Sequence, residues 1–131
     1  TDLTATICLE QMKKLSRHLE IRRNIQKMYN QELQNVLRIP EWSETVQYYC
    51  ARVPATDRDK LIDYLADKRI NTSVHFKPLH KHSLLKNMNN RSYSCADKEW
   101  LKLISLPCHP NMDISDVEYV IYWVKKFFND N

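Results

Sequence analysis

The 131-residue chain contains no glycine, although an average usage of about 7% would place about nine in this length. Dinucleotide-binding loops and Walker-type phosphate loops both need glycine, because a side chain obstructs their backbone conformation or the close approach of the phosphate. The absence therefore excludes a G-x-G-x-x-G loop and a P-loop. We expect no nucleoside triphosphate hydrolysis.

Paired cysteines, a signal pattern and long apolar runs are also lacking. The four cysteines lie far apart, without a C-x-x-C pair or the dense spacing of small secreted domains, which favours a reduced cytoplasmic protein. No apolar run approaches the roughly 20 residues of a membrane span, and the first residues given do not show the basic, apolar and small-residue pattern of a signal peptide. The net charge of +4 is mild and diffuse, so neither a membrane nor a nucleic acid is expected as a partner.

The apolar content of 43% supplies one modest core, so a single domain over residues 1–131 is expected. Apolar residues recur at spacings near three and four over 3–37, which predicts a long amphipathic helix or two helices joined end to end. Pro40 is expected to end it, since proline cannot donate to the helical ladder. A second helix is predicted to begin at the capping pair Thr56 and Asp59 and to end near Arg69.

Two more helices are predicted further along the chain. One spans about 95–103. The last begins at a capping box of Ser115 and Glu118, because a side-chain oxygen followed three residues later by Glu satisfies two helix-end donors. Its apolar stripe consists of Val117, Val120, Ile121, Val124 and Phe128.

Three short strands are predicted between the helices, at 46–53, 70–76 and 104–106, from their aromatic and β-branched residues. The order predicts an α+β fold, in which helices cover a small three-stranded antiparallel sheet. A long amino-terminal helix and an amphipathic carboxy-terminal helix flank it. These two helices carry more apolar positions than so small a sheet covers, so a further surface is expected to pack there.

The densest cluster of chemically active side chains lies in the segment VHFKPLHKH, residues 74–82, at the end of the second predicted strand. One interpretation is a polar loop that caps the strand. Another is a zinc site, although only one half of its ligand set is closely spaced. That site would combine Cys95 or the Cys108–His109 pair with His75, His80 and His82.

A cysteine nucleophile is a further interpretation of the same histidines. Cys95 or Cys108 beside an imidazole would suit acyl transfer. Neither residue lies in a strand-to-helix elbow, so a small buried hydrophobe is the commoner role for such a cysteine. Arg22 and Arg23 are interpreted in the same way as a solvated helix face rather than a phosphate clamp.

Five segments stand in an order and spacing that resemble one known family. They are TDLTATICLEQMKKL at 1–15, Arg22-Arg23 with Tyr29, Arg58-Asp59 with Leu61 and Leu65, INTSVHFKPLH at 70–80, and LPCHP at 106–110. Over nearly its whole length the chain resembles the carboxy-terminal domain of a sugar-nucleotide aminotransferase of the DegT/DnrJ type.

The resemblance implies a fold-type I enzyme that uses pyridoxal phosphate to move an amino group from an amino acid to a nucleotide-linked keto sugar, in polysaccharide or cell-surface sugar synthesis. In that family the Schiff-base lysine and the other cofactor-binding groups lie upstream of the present segment. Pyridoxal phosphate is therefore expected in the full-length enzyme and not on this chain, where no catalytic, cofactor-binding or metal-binding residue is assigned. The resemblance also implies a homodimer.

The same resemblance leaves this domain the task of closing the active-site cleft and contacting the sugar nucleotide. Its substrate-binding residues are then His75, Phe76, Lys77 and His80. Either imidazole would donate to a pyrophosphate or sugar hydroxyl oxygen, and Lys77 would add a charge-assisted contact.

Four positions depart from the family pattern. Phe76 stands where tyrosine is usual, Thr4 where glutamine is usual, and Cys8 and Arg69 where glycine is usual. A left-handed cap at Arg69 would cost about 1 kcal/mol relative to glycine.

Two other functional classes stay open beside the aminotransferase. One is a non-catalytic module that docks through its first helix, and the other is a sugar dehydratase of the same family, in which the Schiff-base lysine is replaced. The residue that separates them is not in this sequence.

Overall fold

The computed structural model describes residues 1–39, 47–85 and 91–130. Within them, four α-helices, two β-strands and two single 3-10 turns follow one another. They are α1 (Asp2–Leu33), β1 (Tyr49–Arg52), α2 (Arg58–Asp67), the turns Leu79–Lys81 and Ser83–Leu85, α3 (Ser94–Trp100), β2 (Leu103–Leu106) and α4 (Ile114–Asn129). The predicted α+β class is confirmed.

Helix α1 is shorter than the apolar spacing predicted. The Thr1 side chain caps its first turn by accepting a hydrogen bond from the Thr4 N–H, and the helix ends at Leu33. Leu37 is buried, and its N–H bonds to the Leu33 carbonyl at 2.8 Å. The apolar pattern therefore continues past the helix, because the turn that follows also packs a side chain into the core. Pro40, the predicted helix end, lies outside the described residues.

The two halves of α1 differ in burial. The second half packs against α4 and buries Ile25, Tyr29 and Leu33. The first half exposes the large apolar side chains of Leu3, Ile7, Leu9, Met12 and Leu15. This is the apolar surplus that the sequence predicted for the first helix. In the described parts of the chain, no helix is both long enough and apolar enough to cross a bilayer.

The predicted three-stranded sheet is not confirmed. In the described residues the sheet has two strands, β1 and β2, which pair antiparallel with Tyr49 opposite Leu106 and Cys50 opposite Ser105. The segment predicted as a strand at 70–76 adds one isolated antiparallel bridge, between Ser73 and Ser105. Its first residue, Ile70, belongs to the end of α2 instead, because its N–H donates to the Leu65 carbonyl.

The two predicted helix caps are wrong, by one residue in α2 and by two residues in α4. Asp57 is the N-cap of α2, in place of the predicted Thr56. In α4 the capping box joins Asp113 and Asp116, whose backbone N–H groups and carboxylates bond to each other at 2.9 and 3.1 Å. Ser115 instead donates to the Asp113 carboxylate at 2.7 Å, so its hydroxyl does not cap the helix.

Arg69, which stands where the family pattern has glycine, adopts the left-handed conformation, with φ of 60°. Its N–H bonds to the Ala66 carbonyl at 2.8 Å, and the Ile70 N–H bonds to the Leu65 carbonyl at 2.9 Å. This pair of bonds is a Schellman motif, which satisfies the last carbonyls of α2. A side chain with a Cβ therefore occupies a position that favours glycine.

The core lies between the sheet and the helices. One face of the sheet, its inner face, carries Tyr49, Ala51, Ile104 and Leu106, all buried. The predicted apolar stripe of α4 is buried at Val117, Val120, Ile121 and Val124, while Phe127 rather than Phe128 completes it. Because strand residues alternate between faces, their neighbours project to the opposite side, where the histidine turn lies.

Candidate functional site

The face of the sheet opposite the core, its outer face, gathers polar and aromatic side chains from three segments. Residues two apart in a strand share a face, so Tyr48 and Cys50 lie on the same side of β1. Ser105 is paired with Cys50 across the ladder and with Ser73 across the isolated bridge. His75, two residues after Ser73, reaches this face as well. The strand alternation therefore brings His75, a predicted site residue, next to three residues that were not predicted as part of the site: Tyr48, Cys50 and Ser105.

His75 is held on two sides by this outer face. Its Nδ1 lies 2.8 Å from the Ser105 Oγ, and its ring stacks on the Tyr48 ring at 3.8 Å between centroids and 21° between planes. The Ser105 Oγ lies a further 3.1 Å from the Cys50 Sγ. The imidazole is thus fixed in position and in plane before any ligand arrives.

A cavity of about 210 Å³ opens beside His75. Its walls include Tyr48, Asn71 and Ser105, and no lysine or carboxylate is among the described residues that line it. A pocket that encloses a whole drug-sized ligand usually measures about 300–1,000 Å³. The cavity is therefore large enough for part of a ligand only.

Phe76 and Lys77 continue the turn on its exposed side. The Phe76 side chain is 68% exposed, and its ring meets the rings of His75 and Tyr48 edge-on at 4.7 and 6.1 Å. The peptide bond between His75 and Phe76 is cis. The Lys77 side chain is exposed, and its backbone carbonyl lies 3.4 Å from the His82 Nε2. Both side chains are accessible to a ligand, although neither lines the cavity beside His75.

His80 is held by a different group. Its Nε2 lies 2.7 Å from the Asp97 Oδ1 on α3, and its ring stacks on Tyr93 at 4.9 Å. The Lys81 Nζ lies 3.1 Å from the same oxygen. Partial desolvation raises the pKa of the Asp97 carboxyl, but the bonds from His80 and Lys81 outweigh it and hold that pKa below its ordinary value. His80 thus ties the turn to α3.

The structure does not assemble the ligand set that a zinc site requires. Across residues 1–39, 47–85 and 91–130, no three His, Cys, Asp or Glu side chains come together as ligands. The three histidines of the turn face Ser105, Asp97 and the Lys77 carbonyl instead. Cys95 is exposed on α3, apart from these contacts.

Cys108 has the environment of a buried hydrophobe rather than a nucleophile. Its side chain is 8% exposed, and its thiol points to the Arg22 carbonyl at 3.9 Å. Burial raises the pKa of the thiol to about 11, with Arg22 opposing the shift. Because the thiolate is the reactive form, acyl transfer by Cys108 is not supported. Arg23 is exposed and Arg22 is half-buried. The predicted solvated helix face therefore includes Arg23 but not Arg22.

Comparison with known proteins shows the family to which the chain belongs. Residues 1–125 match the DegT/DnrJ/EryC1/StrS aminotransferase family, and the chain belongs to that family. The crystal structure of the aminotransferase TlmJ from Streptoalloteichus hindustanus has the same fold, with a TM-score of 0.89 and 28% identity over 98% of this chain and 37% of that one.

Two curated relatives show how much of a family member this chain represents. An uncharacterised protein of Methanocaldococcus jannaschii is 33% identical over 100% of this chain and 37% of its own length. The UDP-4-amino-4,6-dideoxy-N-acetyl-beta-L-altrosamine transaminase of Campylobacter jejuni is 24% identical over 92% of this chain and 35% of its own length. The chain thus spans little more than a third of these relatives.

Proposed function

We propose that the chain is the carboxy-terminal, substrate-facing domain of an aminotransferase that moves an amino group from an amino acid to a nucleotide-linked keto sugar. Membership of the aminotransferase family supports the reaction class, and the name of the Campylobacter jejuni relative supports a sugar-nucleotide substrate. The observation that carries the assignment to this turn is His75, held by Ser105 and Tyr48 at the edge of a cavity.

Pyridoxal phosphate, the cofactor of this proposal, acts as an electron sink when it is bound through a lysine with a carboxylate at its ring nitrogen. The cavity beside His75 does not fit that group, since neither residue type is among the described residues that line it. Our proposal assigns the cofactor site to another part of the full-length enzyme, and the lining of this cavity supports that assignment. This domain binds and orients the substrate.

Each residue of the turn has its own part in that task. His75, with Nδ1 engaged by Ser105, contacts a substrate oxygen through its other ring nitrogen. Lys77 adds positive charge near the diphosphate, and the exposed Phe76 ring offers an apolar surface. His80, anchored to Asp97, sets the position of the turn and contacts substrate only through its remaining nitrogen.

The full-length enzyme in this proposal is a cytoplasmic homodimer. The exposed apolar side chains on the first half of α1, among them Leu3, Ile7 and Met12, support a surface that is covered in the assembled enzyme. Single exposed apolar residues are common, but five large ones within the first 15 residues favour an interface in the assembled enzyme.

The test uses the full-length enzyme with His75→Ala. We expect the KM for the nucleotide sugar to rise roughly 10- to 100-fold, the loss of one hydrogen bond to a charged group, while the cofactor absorbance stays unchanged. His82→Ala is the matched control, because His82 is exposed and makes only a 3.4 Å contact. Unchanged kinetics in His75→Ala would refute the role of this turn.

Product mass in the same assay tests the family alternative. An aminated sugar supports the aminotransferase, whereas a product that has lost water without gaining nitrogen identifies a dehydratase.

A further inference from the structure

Ser105 is buried where the strand pattern predicts exposure. Its neighbours Ile104 and Leu106 face the core, so alternation directs the Ser105 side chain to the outer face. The residue is nevertheless only 4% exposed. Its backbone is fixed as well, since its N–H donates to the Ser73 carbonyl at 2.7 Å and its carbonyl accepts from the Ser73 N–H at 3.1 Å. The backbone that carries the hydroxyl is therefore held in register.

That hydroxyl lies between two side chains of unequal hydrogen-bonding strength. The His75 Nδ1 is 2.8 Å away and the Cys50 Sγ is 3.1 Å away. Sulfur is a weak acceptor, whereas the unprotonated nitrogen of an imidazole accepts well. The single proton of Ser105 is best placed on the bond to Nδ1, and the Cys50 thiol then donates its own proton to the Ser105 oxygen.

This order of donors decides which nitrogen of His75 carries a proton. A neutral imidazole has one N–H and one acceptor nitrogen, and the bond made by one nitrogen sets the state of the other. If Nδ1 accepts from Ser105, Nε2 carries the hydrogen. The stacked Tyr48 ring holds the ring plane, so Nε2, across the ring from Nδ1, points away from Ser105.

We infer that Ser105 is a positioning residue that fixes His75 in the Nε2–H form, so that the turn presents a hydrogen-bond donor to an acceptor oxygen of the substrate. The identity of that acceptor, a phosphate or sugar oxygen, rests on the proposed function. The tautomer itself does not. Cys50 has a supporting part, because its thiol completes the hydrogen bonding of the Ser105 oxygen.

The direct test is nitrogen NMR of the 131-residue chain with labelled histidine. Long-range proton–nitrogen correlations distinguish the Nε2–H from the Nδ1–H form of each imidazole. We expect His75 to be in the Nε2–H form in the unchanged chain, a mixture of the two forms in Ser105→Ala, and a return to the Nε2–H form in Ser105→Thr, which keeps the hydroxyl.

Cys50→Ala separates the two ends of the network, and His80 is an internal control in every spectrum because it is held by Asp97 instead. The Nε2–H form persists in Cys50→Ala, since the Ser105 proton still goes to Nδ1. An Nδ1–H form in the unchanged chain overturns the inference. So does a His75 spectrum that is the same in Ser105→Ala as in the unchanged chain, with the other histidines showing that the fold is intact.

Kinetics of the full-length enzyme then test the link to substrate. Ser105→Ala should raise the KM for the nucleotide sugar several-fold with kcat unchanged, and it should add nothing further in a His75→Ala background, because both changes remove one interaction. If the NMR result holds but KM does not move, the substrate contact proposed for the turn fails while the tautomer assignment stands. Additive effects of the two substitutions refute the positioning role.

Discussion

The hydroxyl of Tyr29 donates a hydrogen bond of 2.9 Å to the backbone carbonyl of Pro107, which lies 78 residues further along the chain. Tyr29 is completely buried in the second half of α1, and its ring contacts the Tyr49 ring at 4.8 Å. Burial raises the pKa of Tyr29 above its ordinary value. One side chain therefore links the long helix to the end of β2, directly after the strand that carries Ser105.

Tyr29→Phe removes this donor and leaves the Pro107 carbonyl without its partner. A buried group that loses its hydrogen bond costs about 1–3 kcal/mol, so we expect urea denaturation to show a free energy of unfolding lower by about that amount. Tyr119→Phe is the matched control, because Tyr119 is exposed and donates to the Lys68 carbonyl at 3.3 Å. Equal losses in the two variants would contradict the importance of burial.

The Schellman motif at the end of α2 makes a second prediction. Arg69→Gly removes the steric cost of a Cβ at φ of 60°, about 1 kcal/mol, while glycine adds entropy to the unfolded chain. We expect a net stabilisation of up to about 1 kcal/mol in chemical denaturation. Arg69→Ala keeps the Cβ and should bring no gain. A stabilised alanine variant would show that the arginine side chain, not the backbone conformation, is the source of the cost.

The carboxy-terminal helix shows how far local sequence predicts this fold. Its buried stripe follows from apolar spacing alone, because a helix must place such residues on the core side. Its start does not, since Asp113 with Asp116 and Ser115 with Glu118 both fit the spacing of a capping box. The bond from the Ser115 hydroxyl to the Asp113 carboxylate favours the earlier start, and that bond is visible only in three dimensions.

The segment 70–76 shows the opposite case, in which tertiary structure overrides local propensity. β-branched residues at 70, 72 and 74 predict a strand, yet Ile70 closes the end of α2 and the ladder reduces to the single bridge at Ser73. Strand propensity indicates that a segment fits a pleated, half-buried surface. It does not indicate whether a neighbouring strand is available to pair with it.

In the candidate site, too, local sequence predicts one part and tertiary structure determines the other. The density of histidines at 75–82 is a local signal, and the sequence predicts that turn. The residues that hold it, Ser105 and Asp97, lie 30 and 17 positions away from their histidines, so strand register and helix docking bring them there. In the local sequence, the serine inside the apolar strand LISL is the sign that a polar group lies on the outer face of the sheet.

Alkaline pH provides a final prediction, through Cys108. Burial raises the pKa of this thiol from 9.0 to about 11, so the folded chain keeps a proton that the unfolded chain gives up. The stability that this retained proton contributes is complete below pH 9 and is lost as the pH rises through 11. Between those values the free energy of unfolding falls by up to about 1.4 kcal/mol per pH unit. Urea denaturation from pH 8 to pH 10 should therefore show falling stability.

Cys108→Val isolates the thiol from the other groups that respond in this range. Burial also raises the pKa values of Tyr29 and Tyr49, and tyrosine ordinarily titrates near pH 10, so these two add to the loss mainly above that pH. The valine variant should keep its stability nearly constant from pH 8 to pH 9.5, where the unchanged chain already declines. If both lose stability equally between pH 9 and pH 9.5, the thiol of Cys108 is not the group that makes the fold sensitive to base.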